Sequence, residues 1–386
     1  MPIDFTKLLI LDGATGTQLM KRGMPSGVCV EEWIIQNPAV LKAVQQDYIK
    51  NGSMAVYAPT FAANRIKLKN SSLKNDIYGT NMALLNISKE AVGGNALIGG
   101  NLSPTGELLS PLGSLTETEL IEVYKEQAQA FYDFDVDFII IETMMDIREV
   151  KCAILACHDV YKTKKPTIFV TITLEKNGKM LTGTDPLTAL LIAQFYGADA
   201  FGLNCSSGPD HMLEIFSNEL LSYAKIPLIA KPNAGMPIET ETGTIFSMPA
   251  NEFADHMKKL TEAGISVIGG CCGTTPEYIR GLTNLTKSEA ASEKFNFISS
   301  VRKSARINET TDISEINITN ESDATDIYYE ILDCESEVVQ LNISCDNSIL
   351  SDLLEQLNMT VFTPIIFNTA NENQKEFIKR IYTYAE

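Results

Sequence analysis

Histidine is scarce in this chain. There are three in 386 residues, and none ends a strand-like run. His158, His211 and His256 fall in helical or connecting stretches. Their placement argues against a histidine-based acid–base enzyme and against a histidine-ligated zinc hydrolase. Cations are also in short supply, with 31 Lys and Arg against 49 Asp and Glu and a net charge of −18. Phosphate recognition needs clustered Lys and Arg, so nucleic acid and anionic membrane surfaces are not expected partners. No apolar run comes near the ~20 residues that span a bilayer. The opening MPIDFTKLLILDGATG has neither the basic n-region nor the long apolar h-region of a secretory signal. These absences make a cytosolic protein the expectation. In a reducing cytosol the eight cysteines serve as thiols or metal ligands rather than disulfides.

What the chain does have is apolar material in a regular rhythm. Eight runs recur: LLILDGA (8–14), SMAVYAP (53–59), ALIGGNLS (96–103), VDFIIIETM (136–144), PTIFVTITL (166–174), ADAFGLNCS (198–206), PLIAKPNA (227–234) and ISVIGGCCG (265–273). Most are continuous rather than alternating, as expected of strands covered on both faces. Helix-like stretches separate them, among them NPAVLKAVQQDYIKNG, TETELIEVYKEQAQAFYDF, DPLTALLIAQFYG and MPANEFADHMKKLTEAG, several ending in the Gly that stops helices. Eight β-then-α units predict a (β/α)8 barrel over residues 1–288. A doubly wound open sheet is the alternative on periodicity alone. No G-x-G-x-x-G follows the first run, which counts against a dinucleotide fold.

The polar residues gather at the C-terminal ends of these runs: Asp12, Thr60, Ser103, Glu142, Thr173, Asn204, Cys205, Asn233, Cys271 and Cys272. In a barrel those ends form one rim, where active sites are built. Residues 289–325 are polar and read as a linker, with one short strand in FNFISS. Residues 326–386 read as two βα units, too few to bury a large core alone. They are expected to pack on the barrel or on a second copy of the chain.

Two cysteines stand side by side in GGCCGTTPEYI (269–279). Adjacent strand residues point to opposite faces, so both sulfurs reach one partner only if the chain bends, and the flanking glycines permit that. Strands six and eight share parity in the barrel, which lets Cys205 meet Cys271 and Cys272 across the seventh. Three thiols around one point suit a soft ion such as Zn²⁺, and three protein ligands leave an open fourth position. Buried thiols, as expected for Cys29, Cys152, Cys157, Cys334 and Cys345, and a Cys271–Cys272 disulfide remain the other readings.

DGATGTQL (12–19), PTGELLSPLG (104–113), IIETMMDI (140–147), LTGTDP (181–186), GLNCSSGP (202–209), KPNAG (231–235) and GGCCGTTPEYI together resemble the homocysteine S-methyltransferase family. The likeness is to the homocysteine-binding barrel at the start of cobalamin-dependent methionine synthases. It implies Zn²⁺ held by Cys205, Cys271 and Cys272. It also implies homocysteine bound through Asp12, Glu142 and backbone amides near Gly13 and Ala14, with Asn204 and Asn233 among the contacts. Asn233 matches the family residue that fills the fourth zinc position without substrate. The implied reaction is attack of the homocysteine thiolate on a methyl group, giving methionine. The implied donor is methylcobalamin on a separate protein or a sulfonium such as S-methylmethionine. The alternative is a non-catalytic zinc- and homocysteine-binding partner subunit.

The likeness has gaps. Ala58 and Pro59 stand where the family usually has Thr-Asn, and Lys231 stands where an acidic residue is frequent. The tail weakly resembles the truncated start of a folate-binding barrel, with no usable pterin site. The D-x-H-x-x-G cobalamin pattern is missing, which leaves any cobalamin or folate subunit as a separate partner.

Overall fold

The protein is described by a computed structural model covering residues 3–240, 243–288, 296–300, 303–307, 310–360 and 363–384. Eight parallel strands form the barrel: β1 (Leu9–Ile10), β2 (Ala55–Tyr57), β3 (Leu97–Leu102), β4 (Phe138–Met144), β5 (Ile168–Ile172), β6 (Ala200–Cys205), β7 (Leu228–Pro232) and, after an antiparallel hairpin of β8 (Pro237–Thr240) and β9 (Gly243–Phe246), β10 (Val267–Ile268). Their order is β1-β10-β7-β6-β5-β4-β3-β2. Met54 N–H donates to Ile10 O at 2.7 Å and brings β2 back to β1. The expected (β/α)8 barrel is therefore found, and the open sheet is not.

Alternation along each strand divides the residues. Leu9, Leu11, Ala55, Tyr57, Phe138, Ile140, Phe169, Ala200, Ile229 and Val267 fill the barrel interior. The opposite faces pack on the surrounding helices. Those helices start and stop where the sequence asks. Thr116 and Glu119 make a reciprocal capping box on Glu117–Phe134. Pro186–Tyr196 ends on Gly197 at φ +99°.

The tail differs from expectation. The stretch read as a linker contains the short strand expected in FNFISS, β11 (Asn296–Ser299), but also β12 (Ser304–Ile307), antiparallel to it, and a further strand, β13 (Ile313–Ile318). Residues 289–295, 301–302 and 308–309 of that stretch lie outside the described residues. β13 pairs in parallel with β14 (Val338–Ile343), which pairs with β15 (Ile365–Asn368). The two βα units expected over 326–386 are present, and a third, β13 with the helix Ala324–Leu332, precedes them. Polar composition hid β13, because only alternate positions, Ile316 and Ile318, are buried. The tail docks on the barrel: Tyr196 Oη donates to Lys379 O and Tyr382 O at 2.9 and 2.8 Å, and Arg380 pairs with Asp159 at 2.7 Å. Among the described residues no helix is long and apolar enough to cross a membrane.

Candidate functional site

The rim is built where strands break their own geometry. β4 shifts register between Ile141 and Met144, and Thr143 inside that bulge sits at φ +61°. A β-branched residue in the left-handed region is a true outlier, and such features mark sites. Glu142, two residues past inward-facing Ile140, lies on the interior face. β6 ends on Cys205, also left-handed at φ +66°.

Asn204 ties these irregularities together. Its Oδ1 accepts from Thr143 N–H at 3.1 Å, while Nδ2 donates to Thr143 Oγ1 at 2.7 Å and to Cys271 Sγ at 3.9 Å. Its amide thus links Thr143 to Cys271, and it is not among the residues that line the pocket described below. Replacing Asn204 by Ala is expected to weaken metal binding about 10–100-fold, as loss of an outer partner does. Competition against a chelator measures this.

The GGCCGT stretch is a tight turn. Cys271 N–H donates to Pro232 O at 2.8 Å, and Cys271 O accepts from Thr274 N–H at 3.1 Å and Thr274 Oγ1 at 2.7 Å. Gly273 supplies the left-handed step at φ +82°. The turn brings Cys272 Sγ to 3.8 Å from Cys205 Sγ, and all three sulfurs lie within 4.8 Å of one another. Metal–thiolate bonds of ~2.3 Å in a tetrahedron separate their sulfurs by ~3.8 Å. The three side chains therefore fit a soft tetrahedral ion with one position left over. Asn233 follows the end of β7, and the next residue ties that turn to the cluster, Ala234 N–H donating to Cys272 O at 3.0 Å. Among the described residues the buried Asn233 Oδ1 has no hydrogen-bond partner, and an amide oxygen can serve as a metal ligand. All eight cysteines are free thiols.

The three thiols differ in basicity. Hydrogen bonds from Cys205 and then Cys271 pull Cys272 down to about 3. Cys205, donating to Cys271 and Cys272, is pushed well up. At Cys271 a bond from Cys205 acts downward, but its own bond to Cys272 and burial leave it at about 11. Hydrogen bonding within the cluster thus favours the thiolate at Cys272 over the other two. Metal uptake near pH 7 is expected to release protons, and apparent affinity to fall as the pH is lowered. A pH series of metal titrations checks the slope.

A pocket of about 550 Å³ opens between these thiols and the first helix, Thr15–Lys21. Asp12, Glu142 and Lys231 are buried in its wall. Lys231 Nζ lies 3.1 Å from Asp12 Oδ1 and 3.5 Å from Glu142 Oε1, over the Tyr57 ring at 3.7 Å. Asp12 Oδ2 accepts from Tyr57 N–H at 2.9 Å, and Glu142 Oε2 from Asn101 Nδ2 at 3.0 Å. Burial raises both carboxylates while Lys231 opposes the rise. The Lys231 ammonium, faced by two carboxylates, stays charged.

Gly13 and Ala14 line the same pocket. A Cβ at Gly13 would meet Thr274 Oγ1 and Tyr48 at 2.8 Å. Ala14 N–H already donates to Thr274 Oγ1 at 3.1 Å, and Ala14 O accepts from Tyr48 Oη at 2.8 Å. The expected amide donor at Ala14 is therefore taken. The first-turn N–H groups of Thr15–Lys21, which has no side-chain cap, are the donors left at this turn. Sequence reasoning brought Asp12, Glu142 and the three cysteines together correctly in space. It missed Tyr57, Asn101, Thr143 and Thr274, and read Lys231 only as an oddity. Alternation from Ile229 was the available signal for Lys231.

A thiol cluster at the C-terminal rim of a parallel barrel, beside a pocket of buried carboxylates, is a ligand set suited to a soft metal ion, at the end of the fold where barrels build their sites. A sequence profile for homocysteine S-methyltransferase matches residues 9–286, and the chain belongs to that family. It is 30% identical over 291 residues to the methionine synthase of Mycobacterium tuberculosis, and 29% identical over 291 residues to that of Mycobacterium leprae. Each match covers 71% of this chain and 24% of the relative, so the chain spans about a quarter of their length. The metallated and oxidized crystal forms of the homocysteine methyltransferase MmuM from Escherichia coli superpose with TM-scores of 0.59 at 20% identity. The metallated form aligns over 72% of this chain and 95% of its own. That likeness is one of fold.

Proposed function

We propose that this chain is an acceptor site for methyl transfer to the thiol of homocysteine, giving methionine, with Zn²⁺ held by Cys205, Cys271 and Cys272. The observation that carries the reading is the spacing of the three sulfurs, within 4.8 Å of one another, in a member of this family. Bound zinc supplies a Lewis acid that keeps the acceptor sulfur deprotonated at neutral pH. The residues around it do the positioning. Asn204 fixes Cys271 and Thr143. The first turn of Thr15–Lys21 offers N–H donors to a substrate carboxylate. Asp12 and Glu142 offer the acceptors that would recognise an amino group. Tyr57 lines the pocket and packs edge to face on Phe138 at 6.0 Å.

The methyl donor is methylcobalamin on a separate protein or a sulfonium such as S-methylmethionine. A reducing compartment such as the cytosol suits a site built from free thiols. Among the described residues the tail, read as the opening of a folate-binding barrel, has three parallel strands.

One observation favours a second reading, a non-catalytic binding subunit: Lys231 already lies between the two carboxylates. Turnover separates the readings. Zinc-loaded chain, homocysteine and free methylcobalamin or S-methylmethionine should yield methionine. Zinc binding with no methionine from either donor would favour the binding subunit.

A further inference from the structure

Three polar atoms of residues that line the pocket are buried without a hydrogen-bond partner among the described residues: Thr17 Oγ1, Tyr57 Oη and Asn101 Oδ1. A buried polar group left unpaired is costly, so such atoms gathered around one cavity point to a ligand. Asn101 is the most informative of them. It is 4% exposed and stands on β3 four residues past inward-packed Leu97, which puts its side chain on the interior face. Thr60 Oγ1 donates to Asn101 O and accepts from Asn101 N–H, both at 2.9 Å, and fixes the main chain there. Asn101 Nδ2 donates to Glu142 Oε2 at 3.0 Å. Glu142 also faces Lys231 Nζ at 3.5 Å, which holds its carboxylate as an acceptor and orients the amide toward it. The end of Asn101 left free is therefore the oxygen, which can only accept. Charge points the same way. Asp12, Glu31 and Glu142 line the pocket with Lys231, and one ammonium offsets only one of three carboxylates.

We propose that Asn101 is a specificity-determining residue whose Oδ1 receives the α-ammonium of the acceptor, beside the Glu142 carboxylate. The inference rests on the homocysteine reading above and adds a neutral acceptor to it. Homocysteine bound through its sulfur brings a thiolate, a carboxylate and an ammonium. The first two only accept hydrogen bonds. The ammonium is the one group that can donate to Asn101 Oδ1, and the pocket shared with the three thiols places it within reach. A neutral amide suits this position, because a further carboxylate would add like charge to a wall that already holds three. Lys231 is compatible with this arrangement, since it leaves the pocket short of positive charge.

The test titrates the zinc-loaded full chain by calorimetry with L-homocysteine and, separately, with 4-mercaptobutanoate, which is homocysteine without its amino group. The unmodified chain should prefer homocysteine by about tenfold or more. Asn101→Leu is close in size but cannot accept. In it that preference should shrink by about tenfold, through weaker homocysteine binding, while 4-mercaptobutanoate stays within about threefold. Two thiols that weaken together would show that Asn101 only shapes the site, and would overturn the inference. Equal binding of the two thiols by the unmodified chain would overturn it as well, and would leave the acceptor reading intact. Binding of neither thiol would remove both. If Asn101→Leu does not fold, Asn101→Ala is read by the same ratio.

Discussion

Replacing Cys205, Cys271 or Cys272 by Ala is expected to strip the chain of metal and to abolish methyl transfer. The three sulfurs belong to two separate elements, the end of β6 and the turn after β10, and converge only in the folded barrel. Removing one leaves two thiols, too few to hold a tetrahedral ion against solvent. The loss in metal affinity should exceed the ~10–100-fold of an outer-shell change such as Asn204→Ala. Folding should survive, since the three side chains are only partly buried. Cys157 provides the control. It is fully buried in the helix Ile147–Val160, and burial pushes its thiol up to about 12. Cys157→Ala should cost some packing and leave metal content unchanged. Metal content after dialysis distinguishes the two classes of variant. Full occupancy in Cys272→Ala would refute the ligand assignment.

Lys231→Met is expected to be the most destabilising of the pocket changes. It leaves Asp12 and Glu142 buried together without their cation. Removing one partner of a buried ion pair costs about 3–5 kcal/mol. The pH dependence carries a sign. Burial already raises both carboxylates above their ordinary values of 3.8 and 4.5, and Lys231 is the largest force opposing that rise. Without the lysine both rise further in the folded state. A carboxylate with a raised folded pKa loses stability as pH climbs from its unfolded value through its folded one. The deficit of Lys231→Met relative to the parent should therefore be smallest near pH 4 and largest at neutral pH. Denaturant unfolding across that range measures it. A deficit that grew on acidification would contradict the charge assignment.

Much of the barrel was legible because its rules are periodic. Continuous apolar runs alternating with capped helices give parallel strands and their order, and polar residues at strand ends give the rim. Cys205, Cys271 and Cys272 could be brought together from strand parity alone. The glycine argument was right in outcome and incomplete in cause. Gly273 turns the chain through a left-handed conformation, whereas Gly269 matters for the close approach of Asp12 O, Leu11 and Lys231. Strand position put Asn204 near the site but could not show that its amide bridges Thr143 and Cys271. Nor could it show that Thr274, far along the chain, accepts the Ala14 N–H. Lys231 was the largest omission. Period-two alternation puts it inside, yet a lysine in a barrel interior is costly without partners. Its partners, Asp12 and Glu142, lie on other strands. β13 was lost because an edge strand with one solvated face resembles a polar linker.

The most direct test counts sulfur ligands on zinc by X-ray absorption, before and after addition of the acceptor thiol. Three sulfurs with one lighter ligand, becoming four sulfurs when homocysteine is added, is the result expected if the cysteine cluster holds a metal open to an incoming thiol. Fewer than three sulfurs at the start, or a count that homocysteine does not change, would contradict it.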